Sequence, residues 1–94
     1  MEIGISIRLI RKTSNKSQKE FAKEIGITQT YISQIENGKK QPSLDVLYKV
    51  SALSNIPLPI VLWYSLEEKD IKPEKRECYR LLKPICDDMI KSLF

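Results

Sequence analysis

Two glycines and the residues around them limit what this chain can fold into more than any other feature. Gly26 and Gly38 each follow a short amphipathic run, and each supplies the left-handed backbone residue that closes a helix. Upstream of the first, Ser17-Gln18-Lys19-Glu20 has the form of a capping box. The serine hydroxyl accepts from a free backbone N–H and the glutamate reaches back to the serine amide. Phe21, Ala22 and Ile25 give that helix an inner face. Only Ile27 stands between Gly26 and Thr28, which has the chemistry to cap the next helix, expected over residues 29–37. Two short helices are thus joined by a very tight turn, in which one braces the other against a surface.

The rest of the chain carries apolar residues at three- and four-residue steps with no sustained alternation, so the fold is expected to be all-α. Ile3, Ile7 and Ile10 mark a first helix that stops near Thr13 to Lys16. Ser43 caps a fourth helix, with Leu44, Leu47 and Val50 on one face and Asn55 as a left-handed terminator. Pro57 and Pro59 suit the first turn of a fifth helix, about Leu58 to Leu66, which contributes Val61, Leu62 and Trp63 to the interior. These five helices make one domain over residues 1–66, followed by a charged connector, 67–73, and a C-terminal amphipathic helical segment, 74–94. Pro84 removes a donor and clashes one turn back, so this last segment is expected to kink or break there.

Function is narrowed by what is missing. The 94 residues include no histidine and two cysteines, too few ligands for a zinc site of roughly four. With no nucleophile–base pair and three glycines in all, the chain offers neither a catalytic constellation nor a phosphate-cradling loop, so no enzyme, metal, cofactor or small-molecule ligand is expected. The longest mostly apolar stretch, Ile56 to Leu66, contains two prolines and falls short of the ~18 residues of a spanning helix. With Glu2 where a signal peptide has basic residues, the expectation is a cytoplasmic protein without a membrane partner, its cysteines reduced. Cys78 and Cys86, about 12 Å apart along a continuous helix, cannot bridge each other and read as buried apolar side chains.

Charge points to a polyanion. Up to Pro42 there are eight basic residues against four acidic ones, whereas the remainder balances at eight and eight, so the whole net charge of +4 lies in the first part. Along the third helix Ile32 and Ile35 form an apolar side, and Gln29, Thr30, Ser33, Gln34 and Asn37 form a polar one. That polar side holds amides and hydroxyls rather than the Lys and Glu of a merely solvated helix. Glutamine pairs in a bidentate way with adenine, and threonine offers a methyl and a hydroxyl to base edges.

Ser17-Gln18-Lys19-Glu20-Phe21-Ala22, Ile27-Thr28-Gln29, Tyr31 to Gly38 and Pro42-Ser43-Leu44, in this order and spacing, make residues 7–62 resemble the lambda-repressor-like DNA-binding domain of Cro and xenobiotic-response-element type regulators. The resemblance implies double-stranded DNA as partner, regulation of transcription, most often repression, and Gln29, Thr30, Ser33 and Gln34 as base-reading positions. It also implies phosphate contacts from Gln18, Tyr31, Asn37, Lys39 and Lys40. Tyr31 has a second reading, packing over the turn with its hydroxyl in water. Arg11 and Glu36 are implied to form an internal ion pair, which a carboxylate near a helix C-terminus requires in any case.

In the last segment Cys78, Leu82, Ile85, Met89 and Leu93 recur at helical steps, widened by Leu81, Cys86 and Ile90. This stripe either folds back on the fifth helix or pairs with its copy. The expectation adopted is a homodimer through Leu82, Ile85, Met89 and Leu93, because a two-fold protein doubles its contacts on half-sites roughly 34 Å apart. A protein-interaction module, an antitoxin-like partner binder using the same stripe, is the alternative.

Overall fold

The computed structural model describes residues 2–93; Met1 and Phe94, the ends of the expected first and last segments, lie outside them. Among the described residues the elements are six α-helices with two 3-10 turns and no strand. They are α1 Ile3–Thr13, α2 Gln18–Ile25, α3 Gln29–Glu36, α4 Leu44–Ser54, α5 Leu58–Ser65 and α6 Arg76–Leu93. Their starts follow the local chemistry. Ser17 Oγ accepts from the Glu20 amide at 3.1 Å while Glu20 returns a carboxylate oxygen to the Ser17 amide at 3.2 Å. Thr28 and Ser43 cap α3 and α4 by accepting from the amides of Tyr31 and Val46. Their ends do too, since Gly26 (φ 84°) and Asn55 (φ 57°) adopt the left-handed conformation that closes α2 and α4. α3 ends one residue before the expected Asn37, whose ψ of 2° leaves the helix ahead of Gly38.

A single apolar core joins the first five helices, built from Ile7 and Ile10 of α1, Phe21, Ala22 and Ile25 of α2, Ile32 and Ile35 of α3, Val46, Leu47 and Val50 of α4, and Val61 of α5. Within α4 the buried face is Val46, Leu47 and Val50, and Leu44, expected inside, is 60% exposed. Both arcs fit helical spacing, and the docking of α2 on α4 selects one of them. On α5 only Val61 and Ser65 are fully buried; Leu62 and Trp63 are half-buried at the edge of the domain.

Two close contacts fix α1. Ser6, fully buried, donates its hydroxyl to the Val61 carbonyl of α5 at 2.6 Å. Gly4 lies against the end of α3, where an added Cβ would stand 2.1 Å from the Ile35 carbonyl oxygen. Only glycine permits that approach.

The connector, residues 67–73, contains a 3-10 turn at Glu68–Asp70, and a second turn, Pro73–Lys75, leads into α6. The expected break at Pro84 does not occur, since α6 continues through it as one helix. A proline inside a helix costs about 3 kcal/mol, and a few contacts hold α6 against the first five helices. Trp63 Nε1 donates to Asp87 at 2.8 Å, Lys83 stands 5.3 Å above the Trp63 ring, the Tyr79 hydroxyl donates to the Leu66 carbonyl at 2.9 Å, and Ile90 is buried. The docked face is therefore Tyr79, Lys83, Asp87 and Ile90, one step round the helix from the expected stripe. Apart from Ile90, the large apolar side chains of that stripe stay bare, with Leu82 49%, Ile85 57%, Met89 62% and Leu93 73% exposed. Cys78, expected to be buried, is exposed with it, and Cys86 is half-buried.

Candidate nucleic-acid interface

α2 and α3 hold one polar surface between them. Gln18, Gln29, Thr30, Ser33 and Gln34 line a shallow concavity of about 330 Å³ on the outside of the pair. Gln29 and Thr30 are exposed, and Ser33 and Gln34 are half-exposed. Their backbone is held from within by Ile32 and Ile35, which are fully buried one helical step away. The four base-reading positions expected from sequence thus fall together, and Gln18 is brought in from α2.

Of the expected phosphate contacts only Gln18 lines this concavity; Asn37 and Lys40 line a separate hollow between the start of α1 and the end of α3. Asn37, Lys39 and Lys40 are exposed beyond the end of α3, in a turn closed by the Lys39 and Lys40 amides donating to the Gln34 carbonyl at 2.8 and 3.2 Å. Tyr31 is half-buried, its ring packed against the core cluster.

Behind the surface lies a charged cluster centred on Glu36, whose side chain is shut off from solvent. Arg11 binds it in a fork, Nε to Oε2 at 2.8 Å and Nη2 to Oε1 at 2.9 Å. Gln18 Nε2 adds a bond to Oε1 at 3.3 Å, so the residue expected to meet phosphate also tethers α2 to this pair. Arg11 further donates to the Lys16 carbonyl at 2.9 Å, tying down the turn between α1 and α2. Burial alone would push the Glu36 carboxyl up. The Arg11 fork, the Gln18 amide and Arg8 outweigh it and hold the group ionised, below the usual carboxylate range. The same bonds raise the Arg11 guanidinium further above its already high value.

Sequence reasoning missed Arg8. It stands three residues before Arg11 on the same side of α1, a spacing that could have flagged it. In the fold it reaches Glu36 and Asn37. Also missed were Gly4 and Ser6, whose roles depend on partners far along the chain.

Among the described residues no cluster of three or more His, Cys, Asp or Glu could hold a metal ion, and no single helix is long and apolar enough to cross a membrane. A tight helix pair that turns an uncharged polar face outward, flanked by lysines, is a helix-turn-helix domain.

Comparison with known proteins assigns the family: the profile described as Helix-turn-helix matches residues 7–61, and the chain belongs to this family of Cro-type DNA-binding transcriptional regulators. It is 37% identical over 60 residues to the ImmF control region 10 kDa protein of Bacillus phage phi105, covering 64% of this chain and 67% of that one. It is also 32% identical over 76 residues to Antitoxin HipB of Escherichia coli O6:H1, covering 81% and 76% respectively. The crystal structure of the clp gene regulator ClgR from Corynebacterium glutamicum has the same fold, with a TM-score of 0.61, 20% identity, and coverage of 98% of this chain and 86% of the other.

Proposed function

We propose that this protein is a sequence-specific repressor that binds double-stranded DNA as a homodimer, with α3 lying in the major groove. The observation that carries the proposal is the exposed face of Gln29, Thr30, Ser33 and Gln34, four uncharged hydrogen-bonding side chains on a rigidly backed helix. At 1.5 Å per residue α3 is a rod of about 12 Å, and a major groove ~12 Å wide admits it. In this reading those four side chains choose bases, while Gln18, Tyr31, Asn37, Lys39 and Lys40 hold phosphates and set the register. The bare stripe of Leu82, Ile85, Met89 and Leu93 supplies the contact between copies, since soluble monomers rarely leave more than a few hundred Å² of contiguous apolar surface exposed. Repression then needs nothing beyond occupancy, because a dimer seated on a promoter excludes other proteins from it.

Selection of bound duplexes from a randomised pool tests this. Enrichment of a two-fold symmetric sequence with half-sites roughly 34 Å apart is expected. Enrichment no better than that of an unrelated protein of equal charge overturns the proposal. A second reading takes support from the likeness to Antitoxin HipB and the same bare stripe: α6 grips a different protein, and DNA binding is secondary. Light scattering separates the two. A mass near twice 10.9 kDa for the purified chain supports self-association, and a monomer mass favours the partner.

A further inference from the structure

The C-terminal end of α3 is held from behind by Arg8 of α1. Its Nη2 donates to the Glu36 carbonyl at 3.1 Å and to Asn37 Oδ1 at 3.0 Å, while its Nε reaches Glu36 Oε1 at 3.4 Å. A guanidinium has donors and no acceptor, so the Asn37 amide can meet it only with its oxygen. The amide nitrogen is thereby turned the other way, where it donates to Ser33 Oγ at 3.5 Å, one helical turn back and inside the concavity on α3. This contact holds the Ser33 hydroxyl from the Asn37 side and leaves its proton and second lone pair available.

We infer that Arg8 is a positioning residue which, acting through Asn37, fixes where the Ser33 hydroxyl sits on the DNA-facing side of α3. The inference rests on α3 being the base-contacting helix. A hydroxyl so placed can donate to the acceptor edges of guanine, adenine or thymine, or accept from the N4 of cytosine. The Arg8 Nε and Nη2 bonds face the protein, and orientation through them is distinguished from a phosphate contact by the salt dependence of binding.

The test uses the full chain, a duplex enriched by the wild type from a randomised pool, and an unselected duplex of the same length. Arg8→Met leaves intact the two shortest bonds to Glu36, both from Arg11, and its melting temperature is recorded alongside. It is expected to bind the enriched duplex about three- to tenfold more weakly, and to lose preference at one base pair per half-site. The salt dependence of binding should be unchanged, and the loss should vanish when Ser33→Ala is already present. Arg8→Gln, which also lacks the guanidinium fork, repeats the same cycle with Ser33→Ala should Arg8→Met fail to fold. Additive losses overturn the inference, as does a salt slope reduced by about one, which marks a direct phosphate contact. Additivity with normal wild-type enrichment removes this inference alone; absence of any enriched duplex removes the base-reading assignment and the inference together.

Discussion

Replacing Arg11 by alanine removes both of the shortest bonds to Glu36 and leaves its Oε2 without the guanidinium that serves it. Gln18 and Arg8 remain near Oε1, at 3.3 and 3.4 Å, too far to substitute for a bidentate fork. Each hydrogen bond to a charged group is worth about 1.5–3 kcal/mol, and stranding one member of a buried pair costs about 3–5 kcal/mol, so the two routes agree on about 3–5 kcal/mol. The turn between α1 and α2 also loses its tie to the Lys16 carbonyl. A domain of this length shifts its Tm by about 4–8 °C per kcal/mol, so Arg11→Ala should melt at least about 12 °C lower, or fail to fold cooperatively. Thermal unfolding followed by circular dichroism measures it. Removing both charges with Arg11→Met and Glu36→Leu should cost less than Arg11→Ala alone, because no charge is left buried. The pH dependence has a definite sign. A carboxyl depressed in the folded state stabilises fully above its unfolded value, near 4.3, and loses that contribution as the pH falls through the folded value. The stability gap between wild type and Glu36→Gln should therefore be constant from neutral pH down to about 5 and shrink below it. An Arg11→Ala protein with unchanged Tm, or a gap that widens in acid, refutes the reasoning.

Gln29→Ala or Gln34→Ala should weaken binding to an enriched duplex by about 1–3 kcal/mol and relax base preference, whereas Lys40→Ala should weaken all duplexes alike and lower the salt slope by about one. Equal losses on selected and unselected DNA for both kinds of variant would contradict these roles. Gly4→Ala should destabilise, although an ordinary helical Gly→Ala stabilises by ~1 kcal/mol, because its Cβ has no room beside the Ile35 carbonyl; a neutral result in a denaturant titration would show that α1 can slide. Met89→Glu on the bare face of α6 should halve the solution mass while leaving the Tm of the domain nearly unchanged, and an unaltered mass would remove α6 from the contact between copies.

What the sequence makes legible is governed by range. The capping box at Ser17 and Glu20, the caps at Thr28 and Ser43, and the left-handed closures at Gly26 and Asn55 are settled within a few residues, so α2, α3 and α4 can be placed from the chain alone. The outward face of α3 is legible for a related reason. Nothing in packing explains a run of exposed amides and hydroxyls, so that composition points to what lies outside the molecule. Leu44 and Pro84 are the opposite case. Which arc of α4 goes inside is settled by distant helices rather than by the local pattern, and α6, continuous through Pro84, meets Trp63 from Asp87, 24 residues away. Arg8 falls between, because its spacing from Arg11 is local while Glu36 and Asn37 are brought to it only by α1 crossing the end of α3.

α6 shows why an apolar pattern can be legible while its partner is not. Its apolar residues make one wide stripe with two possible destinations, inward or toward a second copy. The fold divides that stripe. Ile90 goes inward on a face otherwise made of Tyr79, Lys83 and Asp87, which meet the Leu66 carbonyl, the Trp63 ring and the Trp63 indole N–H, whereas Leu82, Ile85, Met89 and Leu93 are left outside. A helix docked largely through two hydrogen bonds and a cation over one aromatic ring is held in orientation without covering its most apolar side. That side is left free for the contact between copies proposed above. Were α6 instead meant only to complete the monomer core, leucines would be expected where Lys83 and Asp87 stand, and the bare face would carry the charges.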